Sequence, residues 1–309
     1  MTKFDFEAAR ARLRPFIAET PVTRNAETGL YFKWESHQPT HSFKVRGAFN
    51  KMRSMGSTPL VITGSAGNHG QAVALAAQQF GIRVRVFVPK AAPDVKVNRM
   101  RELGAEVERV PGLYGDAEAK AIRAARETGA PFISPYNDPD VIAGAGTIAL
   151  ELIEAIPTLG RILVPVGGGG LIAGMGLAAK GVNADIEVIG VLSEASPYLY
   201  EQFYRGNMEG VVELPTLTDG LAGAVEAGSI TIGLITQAAD AIIQVTEADV
   251  RRAVAHHYLI HGEVVEGSGA VGLAAVLAGK ARTDDRVTAT VVSGGNIDPA
   301  RLEEVLRTI

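Results

Sequence analysis

The sequence predicts an α/β fold with two open, mainly parallel twisted sheets carrying helices on both faces, a small domain being inserted in a large one. Three observations lead there. Short β-branched runs alternate with longer stretches rich in Ala, Leu, Glu and Arg, the order in which strands and crossover helices alternate in parallel sheets. Between residues 60 and 133, three strand–helix units and a final short strand follow one another at intervals of roughly two dozen residues, within the usual length of such a unit. They share length but no residue signature, so they are sheet winding and not a solenoid repeat. The remaining strand candidates lie before and after this block, which puts the small domain at 55–135 and the large one at 1–54 and 136–309.

In chain order, strands are expected at 31–35, 60–63, 82–88, 105–110, 161–166, 187–192, 241–245 and 286–292. Helices are expected at 4–14, 68–80, 93–103, 116–128, 138–156, 171–180 and 246–260. Thr246 with Asp249 makes an N-terminal cap, and Gly81, Gly104 and Gly129 sit where helix ends need a residue free to turn left-handed.

Composition narrows the function. With 47% apolar and 21% charged residues over 309 positions, the chain is globular and not disordered. Its 30 basic and 34 acidic residues give a net charge of −4 without a basic run, so neither nucleic acid nor an anionic membrane is an expected partner. The absence of cysteine excludes disulfides, iron–sulfur clusters, thiolate zinc sites and Cys nucleophiles. The first residues, MTKFDFEAARARLRPF, have no apolar core with a small-residue cleavage site, so a cytoplasmic location is expected. The longest uncharged stretch, from Ile162 to Ala179, contains Pro165 and six glycines and is a poor membrane span.

Chemistry is expected at the glycine-bearing turns. Gly167, Gly168, Gly169 and Gly170 follow the apolar run RILVPV and precede LIAGMGLAAK. A strand that turns through glycines into a helix offers free backbone N–H groups at a positive helix end, suited to a phosphate, although a plain tight turn reads the same way. The segment Gly64 to Gly70 (GSAGNHG) lies between a strand and a helix, with Ser65, Asn68 and His69 expected exposed, and a capped strand–helix junction is its bland alternative. Ser293 to Asn296 (SGGN) ends the last strand. Ligands of open α/β sheets bind beyond the carboxyl ends of strands, so these turns are expected to converge. The string Gly144-Ala145-Gly146-Thr147-Ile148-Ala149 fits a dinucleotide fingerprint, but DPDVIA before it reads as a helix start, which leaves a nicotinamide oxidoreductase only weak support. His257 and His261 lie four apart on a helix with His256 adjacent, either a metal-binding pair or an ordinary polar helix end.

The segment Pro39-Thr40-His41-Ser42-Phe43-Lys44-Val45-Arg46-Gly47-Ala48 resembles the lysine segment of pyridoxal-phosphate enzymes of the tryptophan-synthase-β fold type, known as fold type II. Combined with S-A-G-N-H, the tetraglycine run and S-G-G-N, it resembles the serine/threonine dehydratase and serine racemase group, with the motifs in the family's order. Weaker likeness at TPV near Pro21, DPDVIAGAGT from Asp138 and EGSGAVGLAA from Glu266 extends it over nearly the whole chain.

The resemblance implies pyridoxal 5'-phosphate as cofactor, the larger domain as its binding domain and Lys44 as its Schiff-base partner and then the base at Cα. Phe43 would pack by the cofactor ring, Asn68 would bond the phenolic oxygen, and Gly167 to Gly170 with Leu171 would hold the phosphate. Ser293 would face the pyridine nitrogen, where a hydroxyl donates to a neutral nitrogen but cannot keep it protonated as an aspartate would. The substrate carboxylate would lie on Ser65, Ala66, Gly67 and His69.

The implied reaction is dehydration of a β-hydroxy-α-amino acid, L-threonine or L-serine, to a 2-keto acid and ammonia by a carbon–oxygen lyase. An amino-acid racemase, a dehydratase of 3-hydroxyaspartate or a bulkier aryl-serine, and a non-catalytic pyridoxal-phosphate-binding protein remain alternatives. Racemases of the group carry a second serine where this chain has Ala66, and Leu192 stands where relatives with a divalent cation have an acid, so no metal is expected despite Glu194 nearby. His37 and His41 are expected to be exposed. A homodimer is expected, and the sequence stops at Ile309 too soon after the last motif for the regulatory domain of biosynthetic threonine dehydratases.

Overall fold

The computed structural model describes residues 4–308. In chain order its elements are α1 (Phe6–Leu13), β1 (Val22–Arg24), β2 (Tyr31–Lys33), α2 (Lys44–Ser54), β3 (Leu60–Gly64), α3 (Asn68–Phe80) and β4 (Arg83–Pro89). There follow α4 (Asp94–Glu102), β5 (Glu106–Val110), α5 (Tyr114–Thr128), α6 (Pro139–Ala155), β6 (Arg161–Pro165), α7 (Gly170–Val182) and β7 (Glu187–Ser193). The last are α8 (Tyr198–Arg205), α9 (Ile230–Ala238), β8 (Ala241–Val245), α10 (Glu247–His261), α11 (Gly267–Leu277), β9 (Thr288–Val291) and α12 (Pro299–Arg307).

By packing, the chain divides into two units. One comprises residues 4–17 and Lys44–Gly144, the other Ala18–Phe43 and residues 145–308. The first is built on a parallel sheet β3-β4-β5, with Phe132 adding a single bridge beside Ile62. It extends beyond the span 55–135 because α2 packs on α3 and its Val45, Ala48, Phe49 and Met52 join a core with Val73, Val86 and Ile133. The second unit carries a sheet in the order β1-β2-β9-β6-β7-β8, parallel throughout except for β1. Its core runs from Leu30, Phe32 and Trp34 through Leu163 and Val191 to α10 and α11.

Two mainly parallel sheets are therefore present, as the alternation predicts. The expected strands appear with bounds shifted by up to two residues, and the Thr246 and Asp249 pair forms a complete capping box at the start of α10. Gly81, Gly104 and Gly129 have φ of 66°, 84° and 69° at the ends of α3, α4 and α5. Five helices and β1 escape the sequence reading. The helix that matters most is α2, where Gly47 reads as a breaker. Its missing side chain lets Val141 approach: a Cβ there would lie 2.7 Å from that residue's Cγ1. In α11, Gly269 and Gly272 serve the same purpose against Gly294 and Thr290.

Candidate active site

Parallel pairing brings two of the glycine turns to one edge. Strands β6 and β9 are neighbours in register, Leu163 opposite Thr290, and both run toward that edge. The first turn follows β6, where Val166 N–H donates to Val191 O over 2.9 Å before the chain enters Gly167 to Gly170 and α7. Gly169 is the N-cap of α7 with φ 88°, and a Cβ on it would press into Ile235 at 2.6 Å. A Cβ on Gly167 would meet the Leu221 backbone at 2.9 Å. Thr231 Oγ1 braces the turn by donating to Gly168 O over 2.9 Å. The result is a half-buried cradle of backbone at the positive end of a helix.

The second turn, after β9, is zipped to the chain leading to Lys44. Phe43 N–H donates to Ser293 O over 3.0 Å, Ser42 bridges Gly294, Gly295 N–H donates to His41 O, and Asn296 Nδ2 donates to Thr40 O. Ser293 is buried, and its hydroxyl donates to Ser268 O at 3.3 Å. Ser268 Oγ in turn accepts from Gly220 N–H. Sequence reading passed over Ser268, Gly220, Leu221 and Thr231. The run EGSGAVGLAA was the available signal for the first of these, whereas nothing local marks the loop and helix that supply the others.

Lys44 is the first residue of α2 in the other unit, half-buried, with Nζ donating to Pro135 O over 2.9 Å. The Ser65 to His69 turn joins β3 to α3. Ser65 extends the ladder by donating its N–H to Phe87 O, and its hydroxyl accepts from Gly67 N–H at 3.3 Å. Ala66, Gly67 and Asn68 are half-buried, and the first N–H groups of α3 provide an anion-binding end.

Two expectations need correction here. Ser65 and His69 are buried at 8% and 3% exposure, not exposed, because the turn lies over the sheet and Gly70 admits Met100 beneath it. His69 Nε2 donates to Ile133 O over 3.0 Å, which fixes the tautomer and leaves Nδ1 a buried acceptor without a hydrogen-bond partner among the described residues. Burial, helped by the positive charge of Lys44, lowers its pKa to about 3 against the opposing pull of the Ile133 carbonyl.

The remaining motifs lie elsewhere. Gly144 is inside α6, started by Asp138, whose Oδ1 accepts from Asp140 and Val141 N–H; the glycine string makes room for the Arg46 carbonyl and is no strand-to-helix turn. His37 and His41 are exposed, and His37 Nε2 lies 3.0 Å from Glu263. His256 and His261 both reach Asn25 Nδ2 through Nε2, and His257 is buried against Phe32 and Trp34. Among the described residues no three His, Asp or Glu side chains converge as for a metal ion.

A family model described as pyridoxal-phosphate dependent enzyme matches residues 13–294. The chain belongs to that family. Among its relatives, the L-threonine ammonia-lyase of Thermotoga maritima is 41% identical over 315 residues, covering 99% of this chain and 78% of that one. The Escherichia coli protein named L-threonine dehydratase catabolic TdcB is 36% identical over 312 residues, covering 97% and 94%. The solved structure of maize serine racemase superposes with a TM-score of 0.90 at 32% identity, covering 98% of this chain and 96% of that one. The family's cofactor fits the residues present: Gly167 to Gly170 turn into the positive end of α7, Gly167 and Gly169 having no room for a Cβ against Leu221 and Ile235, and Lys44 offers an amine held by one backbone carbonyl among its bonds.

Proposed function

We propose that this chain is a pyridoxal-phosphate-dependent ammonia-lyase that converts L-threonine or L-serine to a 2-keto acid and ammonia. The supporting observation is the zipper of residues 40–43 on the Ser293 to Asn296 turn, which seats Phe43 beside Ser293 on the sheet edge that also carries the glycine cradle. The relatives at 41% and 36% identity, an L-threonine ammonia-lyase and an L-threonine dehydratase, favour threonine.

Bound pyridoxal phosphate supplies an electron sink for the pair released at Cα. Gly167 to Gly170 and Leu171 hold its phosphate through backbone N–H groups, Phe43 packs on its ring and Asn68 donates to its phenolic oxygen. Ser293, whose hydroxyl donates to Ser268 O here, would offer the ring nitrogen a hydrogen bond without protonating it, which suits prompt elimination. The α3 N-terminus at Ser65 to His69 receives the substrate carboxylate. Lys44 would hold the cofactor through Nζ and, once free of it, would be the base that takes the Cα proton. The Cβ–O bond would then break, the hydroxyl leaving as water with a proton equivalent to the one Lys44 took from Cα, and the enamine so formed would become an imine that water hydrolyses to keto acid and ammonia. Ala66 has no proton to deliver to the opposite face, which disfavours racemisation.

A homodimer in the cytoplasm completes the proposal. The exposed apolar residues Leu259 (65%) and Ile260 (62%), with Tyr258 and Val264, support an interface at the end of α10. Light scattering should give twice the chain mass, and Ile260→Asp should lower it. The function is tested by adding L-threonine, L-serine and D-serine to the purified protein and measuring keto acid and ammonia. A yellow protein that loses its colour in Lys44→Ala and forms keto acid from an L-substrate is expected; a chain that cannot be loaded with pyridoxal phosphate overturns the reading.

A further inference from the structure

The lysine is held by a piece of backbone that is itself unusually well tied down. Residues 131–137 run beside β3: Ile62 N–H donates to Pro131 O over 2.9 Å, and Ile133 N–H to Ile62 O over 2.8 Å. The Ile133 carbonyl takes two further bonds, from Thr63 Oγ1 at 2.8 Å and His69 Nε2 at 3.0 Å. Ser134 Oγ accepts from Asn137 N–H at 2.9 Å, closing the turn around Pro135. Pro135 has a ring-locked φ. That leaves ψ to aim its carbonyl, which the bonds at Ile133 and Ser134 on the same turn restrict, and Lys44 Nζ lies on it at 2.9 Å.

We propose that the Pro135 carbonyl is the docking point of the Lys44 ammonium whenever that lysine is not bonded to the cofactor, and that His69 and Thr63 are the positioning residues that aim it by clamping Ile133. The inference rests on the reading of Lys44 as the cofactor-bearing lysine. It assigns His69 a task distinct from substrate binding. Its imidazole is not a proton carrier: it is buried, held as the Nε2–H tautomer by the Ile133 carbonyl, and kept neutral by burial and by the neighbouring Lys44 charge. A neutral donor beside a lysine adds no repulsion when the lysine is charged, whereas a second cation would. Strand and helix supply the two clamps from different directions, Thr63 from β3 and His69 from the first turn of α3. A functional group placed this way depends on the shell that supports it.

The test titrates Lys44 in the full chain freed of cofactor, by acetic anhydride labelling across pH and mass spectrometry of the Lys44 peptide. A bond to a charged donor is worth enough that loosening the carbonyl should move the labelling midpoint of His69→Leu down by about one pH unit. Thr63→Val should move it the same way by less. His69→Gln, whose Nε2 can reach the same carbonyl, should return the midpoint toward that of the parent chain. Superimposable curves for the parent and His69→Leu, or a His69→Gln curve equal to that of His69→Leu, overturn the proposal; if His69→Leu does not fold by circular dichroism, an unshifted Thr63→Val does so. The readout needs neither cofactor nor turnover, so failure of the lyase reading would show separately, as a parent chain that labels normally but forms no keto acid.

Discussion

The turn after β6 and the turn after β3 both leave a parallel strand and open a helix, yet they are made of different material. Gly167 to Gly170 present backbone only, and at Gly167 and Gly169 a Cβ would run into Leu221 and into Ile235 and Thr231. The Ser65 to His69 turn keeps polar side chains, two of which are turned inward to hold the turn and the neighbouring segment at Ile133. A dianionic group is bound well by N–H groups at short range, and glycine permits a turn here that Leu221 and Ile235 would deny to a residue with a Cβ. A reacting substrate needs groups that differ from one another, so side chains are kept. The two turns therefore tolerate substitution differently.

The largest effect should come from the point where the chain passes from one unit to the other. Lys44→Ala removes the proposed base, and turnover should fall by about a hundred- to ten-thousandfold, the contribution of a positioned base. Residual turnover within tenfold of the parent chain would move the base to another residue. Gly167→Ala should weaken pyridoxal-phosphate binding by about tenfold or more, because the Leu221 backbone, 2.9 Å from the new Cβ, must shift. Equilibrium titration with the cofactor measures this, and Lys44 labelling in the cofactor-free variant should be unchanged if the cradle alone is damaged.

Acid stability compares the units through one buried histidine in each. His257, enclosed by Phe32 and Trp34, has its pKa lowered to about 3 by burial and then by its His261 and His256 neighbours, as that of His69 is lowered to about 3. In both cases the unfolded chain takes a proton near 6.5 while the folded chain refuses it. Stability is therefore complete above about pH 6.5 and falls as pH drops toward 3, by about 2 kcal/mol per histidine at pH 5. In urea unfolding at pH 8 and pH 5, His257→Phe should remove its share of the acid loss. An equal loss in the variant and the parent chain would mean that His257 is protonated while folded. The smallest effect is expected at the brace of the glycine cradle: Thr231→Val deletes the bond to Gly168 O and should weaken cofactor binding by about fivefold, the equivalent of about 1 kcal/mol. Unchanged affinity would show that packing by Leu221 and Ile235 is sufficient.

Much of this was legible along the chain. The strands show as β-branched runs, continuous where both faces are covered as in β6, and alternating with charged residues where one face is more open as in β4 and β5. The lysine segment, the tetraglycine run and Ser-Gly-Gly-Asn show because each is contiguous. Helix α2 was hidden by Gly47, which serves packing against Val141 and imitates a breaker. His69 was expected at the surface because a polar residue in a turn usually is; its burial depends on Ile133, 64 positions away, accepting its proton. The roles of Leu221 and Thr231 could not be read locally, because each acts on a residue far along the chain.

What the sequence determined by itself was everything local: alternation of strand and helix, the capping box at Thr246 and Asp249, the backbone freedom of the glycine turns and the presence of one lysine in a distinctive setting. Only the tertiary structure decided that the Ser42 and Gly294 segments run side by side, that β6 and β9 are neighbours, and that Lys44 rests on Pro135. The reason is physical. Helix, turn and cap propensities depend on a few adjacent residues, whereas hydrogen bonds between distant segments form only when burial of the two cores has brought those segments together.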